Sequence, residues 1–183
     1  KWYDTSPDDF RFSVKVPRLI THYKKFSECE MLIRDFYNII TAGLQEKSGC
    51  VLFQLPPQFT YTPEKLDLII NSVNHSFKNV FEFRHISWWN ENVLDQFKKR
   101  KLIFCGVSFP KLPDSIMATT SNIYYRFHGV PVLYKSIYTE NFIENIYQQI
   151  KTFNPKEAWI YFNNTWGEAA IINSKYLQKQ AIV

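Results

Sequence analysis

The sequence has 183 residues, of which 45% are hydrophobic and 17% aromatic, and its formal net charge is +5. This length and composition suit one globular domain with a sizeable core, which we expect to cover residues 1–183. No apolar run approaches the roughly 20 residues that span a bilayer, which argues against a membrane partner. The modest positive charge favours an anionic small molecule or a nucleic acid as partner, and it leaves the oligomeric state unknown.

The cysteines indicate the compartment of the protein, and the first residues bear on where the sequence begins. Cys29, Cys50 and Cys105 are odd in number, widely separated and set among apolar residues. Buried thiols in a reducing compartment are typical of this pattern, so we predict a cytoplasmic protein. The opening residues, Lys1 and Trp2, are neither a signal peptide nor a methionine start. We therefore expect the sequence to begin inside a longer chain.

Predicted strands alternate with predicted helices along the whole chain. Short apolar or alternating runs predict strands at 10–16, 50–55, 79–85, 102–107, 122–128 and 158–162. Helix starts are predicted from capping signals at Ser27 with Glu30, Thr62 with Pro63, Asn90, and Thr165 with Glu168, and a further helix is predicted over 140–151. The first helix should close near Gly49 and bury a stripe of Met31, Leu32, Phe36, Ile39, Ile40 and Leu44.

This alternation predicts an α/β fold with parallel strands. A TIM-type (β/α) barrel of eight strands needs about 250 residues, and six β/α units are visible here. We therefore expect the first two strands of such a barrel to be missing from this sequence. The connection over residues 108–121 has no predicted regular structure, and loops of this length are more often functional than idle.

One strand carries an unusual density of charge. The segment that ends in Glu82, Phe83, Arg84 and His85 places an acid, a guanidinium and an imidazole within four residues. Because side chains alternate along a strand, Glu82 and Arg84 share one face. A buried ion pair and a ligand site at the end of a barrel strand are both compatible with this pattern.

Polar residues recur at the ends of the other predicted strands. The residues that strand parity could place on one side are Ser13, Lys15, Leu52, Gln54, Glu82, Arg84, Tyr124, Arg126, His128, Tyr161 and Asn163. Carboxyl ends of barrel strands converge at the mouth, where such barrels place their active sites. A buried polar group left unpaired costs on the order of 1–3 kcal/mol, so a ring of them favours function.

The ring suggests an anion site with acid or base groups beside it. We expect Lys15, Arg84 and Arg126 to bind the anion, and Glu82, His85 and His128 to be the catalytic candidates. The other candidate substrate contacts are His22, Gln54, Trp88, Asn163 and Asn164. Trp88 could form a stacking wall with Trp89, and core packing is the alternative.

No cofactor motif is visible, so the cofactor stays unknown. A divalent metal held by His22, His85, His128 and Glu82 is the less favoured alternative, because no histidine pair has helical ligand spacing and acids are scarce at the other strand ends.

Several short motifs, taken together, resemble the YecE-like family of domain of unknown function 72. They are Phe12-Ser13-Val14-Lys15-Val16-Pro17, Ile20-Thr21-His22, Phe53-Gln54-Leu55-Pro56-Pro57, Phe81-Glu82-Phe83-Arg84-His85 with Trp88, Tyr125-Arg126-Phe127-His128-Gly129 and Tyr161-Phe162-Asn163-Asn164. The resemblance implies a TIM-type barrel, an uncharacterised activity and an N-terminal segment with two further strands. Many relatives carry an aspartate two residues before the proline that is Pro110 here, whereas this chain has Ser108. A mechanism with two carboxylates must therefore find the second one in a loop or in the missing strands.

Three functional hypotheses remain open. The first is an enzyme, with a hydrolase among the activities considered, that acts on a phosphorylated or nucleic-acid-like substrate at the barrel mouth. The second is a binding module for nucleic acid or an anionic metabolite without chemistry. The third is a self-satisfied polar network that holds the barrel together, in which Glu82→Gln destabilises the fold and no ligand raises the melting temperature.

Overall fold

A computed structural model describes residues 1–181 and divides into two compact units, one from Lys1 to Leu102 and one from Ile103 onward. The expectation of a single domain over residues 1–183 stays a prediction, and residues 182 and 183 lie outside the described part.

The first unit contains three parallel strands and four α-helices. Its elements are α1 Trp2–Thr5, β1 Phe12–Lys15, a π-helical turn Leu19–Tyr23, α2 Glu30–Leu44, a 3-10 turn Gln45–Lys47, β2 Ser48–Gln54, α3 Pro63–Ser72, β3 Lys78–Glu82, a 3-10 turn Ile86–Trp88 and α4 Glu91–Arg100. Strand β2 lies between β1 and β3 and pairs with both in parallel. The register sets Lys15 beside Leu52 and Gln54 beside Glu82.

The continuous apolar run of β2 is buried because a strand and packed side chains flank it on each side. Phe53 is fully buried and stacks on Phe81 of β3 and on Phe26 of the segment before α2, with ring centroids 5.1 and 5.6 Å apart. The predicted strand is therefore confirmed as a core strand of this unit.

Two predicted helix caps are confirmed in the first unit. The Thr62 hydroxyl accepts a hydrogen bond from the Lys65 amide, with Pro63 as first helical residue. The Asn90 side chain likewise accepts from the Val93 amide. Each cap satisfies an amide that the first helical turn leaves without a partner.

The predicted start of α2 is wrong, and its predicted buried stripe is confirmed only at Ile40 and Leu44. Cys29, not Ser27, takes the N-cap position, and its thiol contacts the Ser27 carbonyl at 3.3 Å. Met31 and Ile39 are exposed, whereas the buried residues are Ile33, Tyr37, Ile40 and Leu44. The polar Tyr37 can face inward because its hydroxyl donates to Asn79 Oδ1 at 2.6 Å. The helix also ends at Leu44, before Gly49, which already belongs to β2.

The second unit contains three parallel strands and two helices. Its elements are β4 Ile103–Ser108, β5 Asn122–Phe127, α5 Glu140–Thr152, β6 Glu157–Phe162 and α6 Ala169–Ala181. Strand β5 pairs in parallel with β4 and with β6. Its core is formed by Ile123, Tyr125, Phe127, Tyr138, Ile143, Ile146, Ile150 and Leu177. Within the described residues, the connection from β4 to β5 forms no helix or strand, as predicted.

The capping box predicted for the last helix is wrong. Helix α6 begins at Ala169, directly after Glu168, so Thr165 lies too far upstream to cap it. Gly167 has a φ of +66°, and the turn that it forms delays the helix start.

Helices follow five of the six strands, all except β4, and the strand pairs described in each unit are parallel, which confirms the predicted α/β class. The eight-stranded barrel stays a prediction. No helix within residues 1–181 is long and apolar enough to cross a membrane.

Candidate functional site

The charged segment of β3 forms a buried ion pair in the first unit. Glu82 closes β3, and Arg84 follows two residues later on the same face. The side chains of Arg84 and Glu82 are 4% and 0% exposed, and Arg84 Nη2 contacts Glu82 Oε1. The ion pair that the sequence allowed is therefore present, at the carboxyl end of a strand.

The neighbouring strands bring an amine and an amide to the same end of the first unit. Lys15 closes β1 and Gln54 closes β2, and Lys15 Nζ donates to Gln54 Oε1 at 2.6 Å. Lys15 is exposed, and Gln54 stands in register with Glu82. Three adjacent strand ends thus carry polar side chains, as the parity of the sequence predicted for this unit.

His22 lies in the π-helical turn that follows β1, and the charges of three basic residues act on it. Its Nδ1 is 2.8 Å from the hydroxyl of the buried Thr21. Burial lowers the pKa of His22, and the charges of Arg18, Lys15 and Arg84 lower it further. We refer to Lys15, Arg18, His22 and Arg84 as the basic cluster. The sequence reading missed Arg18, although it directly follows Pro17, two residues after the end of β1.

His85 and Trp88 have structural contacts at the end of β3. His85 caps the short turn Ile86–Trp88: its Nδ1 accepts from the Ser87 amide at 3.2 Å. Trp88 is fully buried, stacks on Phe83 with centroids 4.0 Å apart, and donates its indole N–H to the Phe59 carbonyl at 2.6 Å. Trp88 therefore lies in the core, the alternative that the sequence left open.

The second unit places Arg126 and Asn163 side by side. Arg126 lies on β5 and Asn163 directly follows β6, and Arg126 Nε donates to Asn163 Oδ1 at 3.0 Å. Both residues are partly buried, and below them Tyr124 stacks on Tyr161 with centroids 5.1 Å apart. These two predicted contact residues are brought together within their own unit.

His128 and Asn164 are buried in the second unit. The His128 amide donates to the Ser108 carbonyl at 2.9 Å, and its ring packs edge-on against Phe109. Asn164 Nδ2 donates to the Ser136 carbonyl and to Asn173 Oδ1, each at 3.0 Å. The contacts of Asn164 tie a loop to α6, so a structural role accounts for them.

Sequence reasoning missed a carboxylate in the second unit. Asp114 lies near Ser108, the last residue of β4: burial raises the pKa of its carboxyl, and Ser108 offsets part of this effect. Ser108 Oγ accepts a hydrogen bond from the Tyr138 hydroxyl at 3.0 Å. Asp114 is the only acid in the connection 108–121, which was the available signal. Within residues 1–181, no group of three or more His, Cys, Asp or Glu side chains is placed to hold a metal ion.

A family model described as "Protein of unknown function DUF72" matches residues 1–182. The chain belongs to the DUF72 family. The curated relative UPF0759 protein YecE of Escherichia coli (strain K12) is 28% identical over 111 residues. That match covers 59% of this chain and 40% of YecE, so the chain spans less than half the length of this DUF72 relative.

Solved structures of DUF72 proteins share the fold. A DUF72 family protein from Thermotoga maritima MSB8 has a TM-score of 0.88 at 24% identity, with 98% of this chain and 76% of that chain covered. A DUF72 family protein from Enterococcus faecalis V583 has a TM-score of 0.83 at 23% identity, with coverage of 100% and 82%. The family match over residues 1–182 confirms the predicted resemblance to the YecE-like family, and these structures show that the fold is shared.

Proposed function

We propose that this DUF72 chain is an enzyme that binds an anionic substrate, phosphorylated or nucleic-acid-like, at the basic cluster. The feature that supports this most is His22, a partly buried imidazole whose pKa is lowered first by burial and then by the nearby charges of Arg18, Lys15 and Arg84. The three cations create a positive potential that disfavours an added proton on His22. A bound anion relieves that repulsion.

The parts of the basic cluster suit different tasks. Lys15 is exposed and can reach an oxygen of the substrate, while Gln54 holds its amine at 2.6 Å. Arg84 is fixed by Glu82, so its guanidinium loses little freedom when it binds an anion. A neutral His22 can accept a proton when the anion arrives. Glu82 orients Arg84, and the partly exposed His85 is the acid or base candidate beside it.

Arg126 with Asn163 is a second candidate contact for the same class of ligand, in the second unit. We place the six strands in an eight-stranded TIM-type barrel, since barrels of this type carry their active sites at the carboxyl ends of the strands. The parallel strand pairs and the polar strand ends of each unit support this placement. The proposed location is cytoplasmic.

Calorimetric titration with inorganic phosphate tests the anion site. Lys15→Gln should weaken phosphate binding about tenfold, the loss of roughly 1.4 kcal/mol expected for one charge-assisted contact. Lys99→Gln, which makes the same charge change on the exposed end of α4, should bind as the wild type does. Equal affinities for all three proteins would remove the basic cluster as the anion site.

Turnover separates an enzyme from a binding module. The wild type should hydrolyse a member of a phosphatase, nuclease and glycosidase substrate panel, and Glu82→Gln and Arg126→Ala should reduce that rate. Normal turnover by both variants contradicts the proposed roles. Salt-dependent binding of an oligonucleotide without turnover selects the alternative, a non-catalytic nucleic-acid or anionic-metabolite binding module.

A further inference from the structure

Trp166 is an exposed indole that the loops after β5 and β6 hold in place. It is 68% exposed. Its main-chain N–H donates to the Tyr134 carbonyl at 3.1 Å, and two residues earlier the Asn164 side chain donates to the Ser136 carbonyl at 3.0 Å. Because β5 and β6 are adjacent and parallel, both loops lie at the carboxyl end of the sheet in this unit, the end that carries Asn163.

The loop after β5, which supports Trp166, is itself fixed by close main-chain contacts. The Tyr134 amide donates to the His128 carbonyl at 2.6 Å. Gly129 has a φ of +94°, and a Cβ there would lie 2.9 Å from the Val132 carbonyl, so this turn requires glycine. A ligand that binds to an ordered loop does not have to offset the entropy cost of ordering it.

An amine and a second aromatic ring accompany the indole. Lys135 Nζ lies 4.6 Å from the centre of the Trp166 ring, and the neighbouring Tyr134 is 47% exposed. A cation–π contact at an exposed site stabilises a fold only modestly, and Trp166 gains little of the burial that stabilises Trp88. Packing therefore does not account for the exposed position of Trp166. Exposed rings beside basic side chains are the surface on which bases stack while cations bind the phosphates.

The oriented guanidinium of Arg126 lies close to this surface. Arg126 Nε donates to Asn163 Oδ1 at 3.0 Å, and Trp166 follows Asn163 by three residues. Three residues of extended chain span at most about 11 Å between Cα atoms. A ligand as long as a nucleotide can therefore place a phosphate at Arg126 and its base at Trp166.

We propose that Trp166 is the stacking residue of a nucleotide subsite at the carboxyl ends of β5 and β6, with Arg126 and Lys135 as its phosphate contacts. The ligand is a nucleotide, either free or within a single strand, whose base lies on the indole ring. The subsite rests on the proposed function and narrows its anionic ligand to one that carries a base.

Calorimetric titration with two phosphate compounds tests the subsite. Adenosine monophosphate carries a base, whereas ribose 5-phosphate has the same sugar and phosphate without one. The wild type should bind adenosine monophosphate about tenfold more tightly, the gain expected for one base stacked on an aromatic ring. Trp166→Ala should remove this preference, and Trp166→Phe, which keeps a ring, should retain part of it. Trp2→Ala is the matched control, because Trp2 is 70% exposed in the first unit, and it should keep the wild-type preference.

The phosphate contact is tested separately from the stacking contact. Lys135→Gln should weaken the binding of both compounds by a similar factor and preserve their ratio, because it removes a charge and leaves the indole. Lys99→Gln, with the same charge change on α4, should bind both compounds as the wild type does.

A decamer of deoxyadenylate identifies the source of the nucleotide. Tighter binding of the decamer than of adenosine monophosphate assigns the subsite to a single strand, and equal binding assigns it to a free nucleotide. Adenosine monophosphate that binds no more tightly than ribose 5-phosphate to the wild type, or a preference that survives in Trp166→Ala, overturns the subsite. Neither result bears on the basic cluster, which inorganic phosphate and Lys15→Gln test.

Discussion

Arg84 and Glu82 form an ion pair inside the first unit, with 4% and 0% of their side chains exposed. Burial strips water from both charges, and the attraction between them often fails to repay that cost. Such a pair is a poor way to stabilise a fold and a good way to hold a guanidinium in one orientation. Here the oriented group is Arg84, whose charge acts on His22.

Removing one member of this pair should destabilise the fold. Glu82→Gln leaves the buried Arg84 without this counter-charge, and we expect a loss of about 3 kcal/mol in the free energy of unfolding. Chemical denaturation measures it. The double variant Glu82→Leu with Arg84→Met removes both charges and should recover most of that loss. A Glu82→Gln protein within about 0.5 kcal/mol of the wild type would show that the pair is not energetically coupled.

Removing the Arg18 charge should raise the pKa of His22. Arg18 is exposed, and its charge is among the causes that lower this pKa, so Arg18→Gln relieves repulsion of the imidazolium. NMR titration of the His22 ring provides the measurement, with Lys99→Gln as a control that changes the same charge elsewhere. An unchanged His22 pKa in Arg18→Gln would mean that Arg18 is not part of the basic cluster.

Trp88 should contribute to stability and not to anion binding. Trp88→Phe loses the indole hydrogen bond to Phe59 and part of a fully buried ring, so we expect a cost of about 1–3 kcal/mol. Trp166→Phe is the matched control, since Trp166 is 68% exposed and its change should cost less than about 0.5 kcal/mol. Phosphate affinity should be the same in both variants; a selective loss in Trp88→Phe would restore its role as a stacking wall.

Asp114 should make the protein less stable as the pH rises. Its pKa is raised by folding, so the folded chain binds this proton more tightly than the unfolded chain does. Stability therefore falls as the pH rises from the ordinary aspartate value of about 3.9 through the folded value. Asp114→Asn lacks this titration, so its stability relative to the wild type should increase over the same interval. Urea denaturation at acidic and neutral pH measures the difference, and a constant difference would contradict the raised pKa.

The strands and their polar ends could be predicted because each depends on local pattern. The alternation around β1 and the apolar run of β2 predicted the two strands that end in Lys15 and Gln54. The face of α2 could not be predicted from hydrophobicity, since Tyr37 is buried through a bond to Asn79, 42 residues away. The proximity of Asp114 to Ser108 could not be predicted either. It depends on the path of an irregular connection, which no periodic pattern in the sequence indicates.

The titration of His22 in the presence of phosphate tests the anion site most directly. NMR of the histidine rings, recorded over a pH series with and without inorganic phosphate, follows His22 in the wild type, Lys15→Gln and Lys99→Gln. A phosphate bound by the basic cluster should raise the pKa of His22 in the wild type and in Lys99→Gln, and much less in Lys15→Gln. A His22 pKa that phosphate leaves unchanged in the wild type would contradict the account.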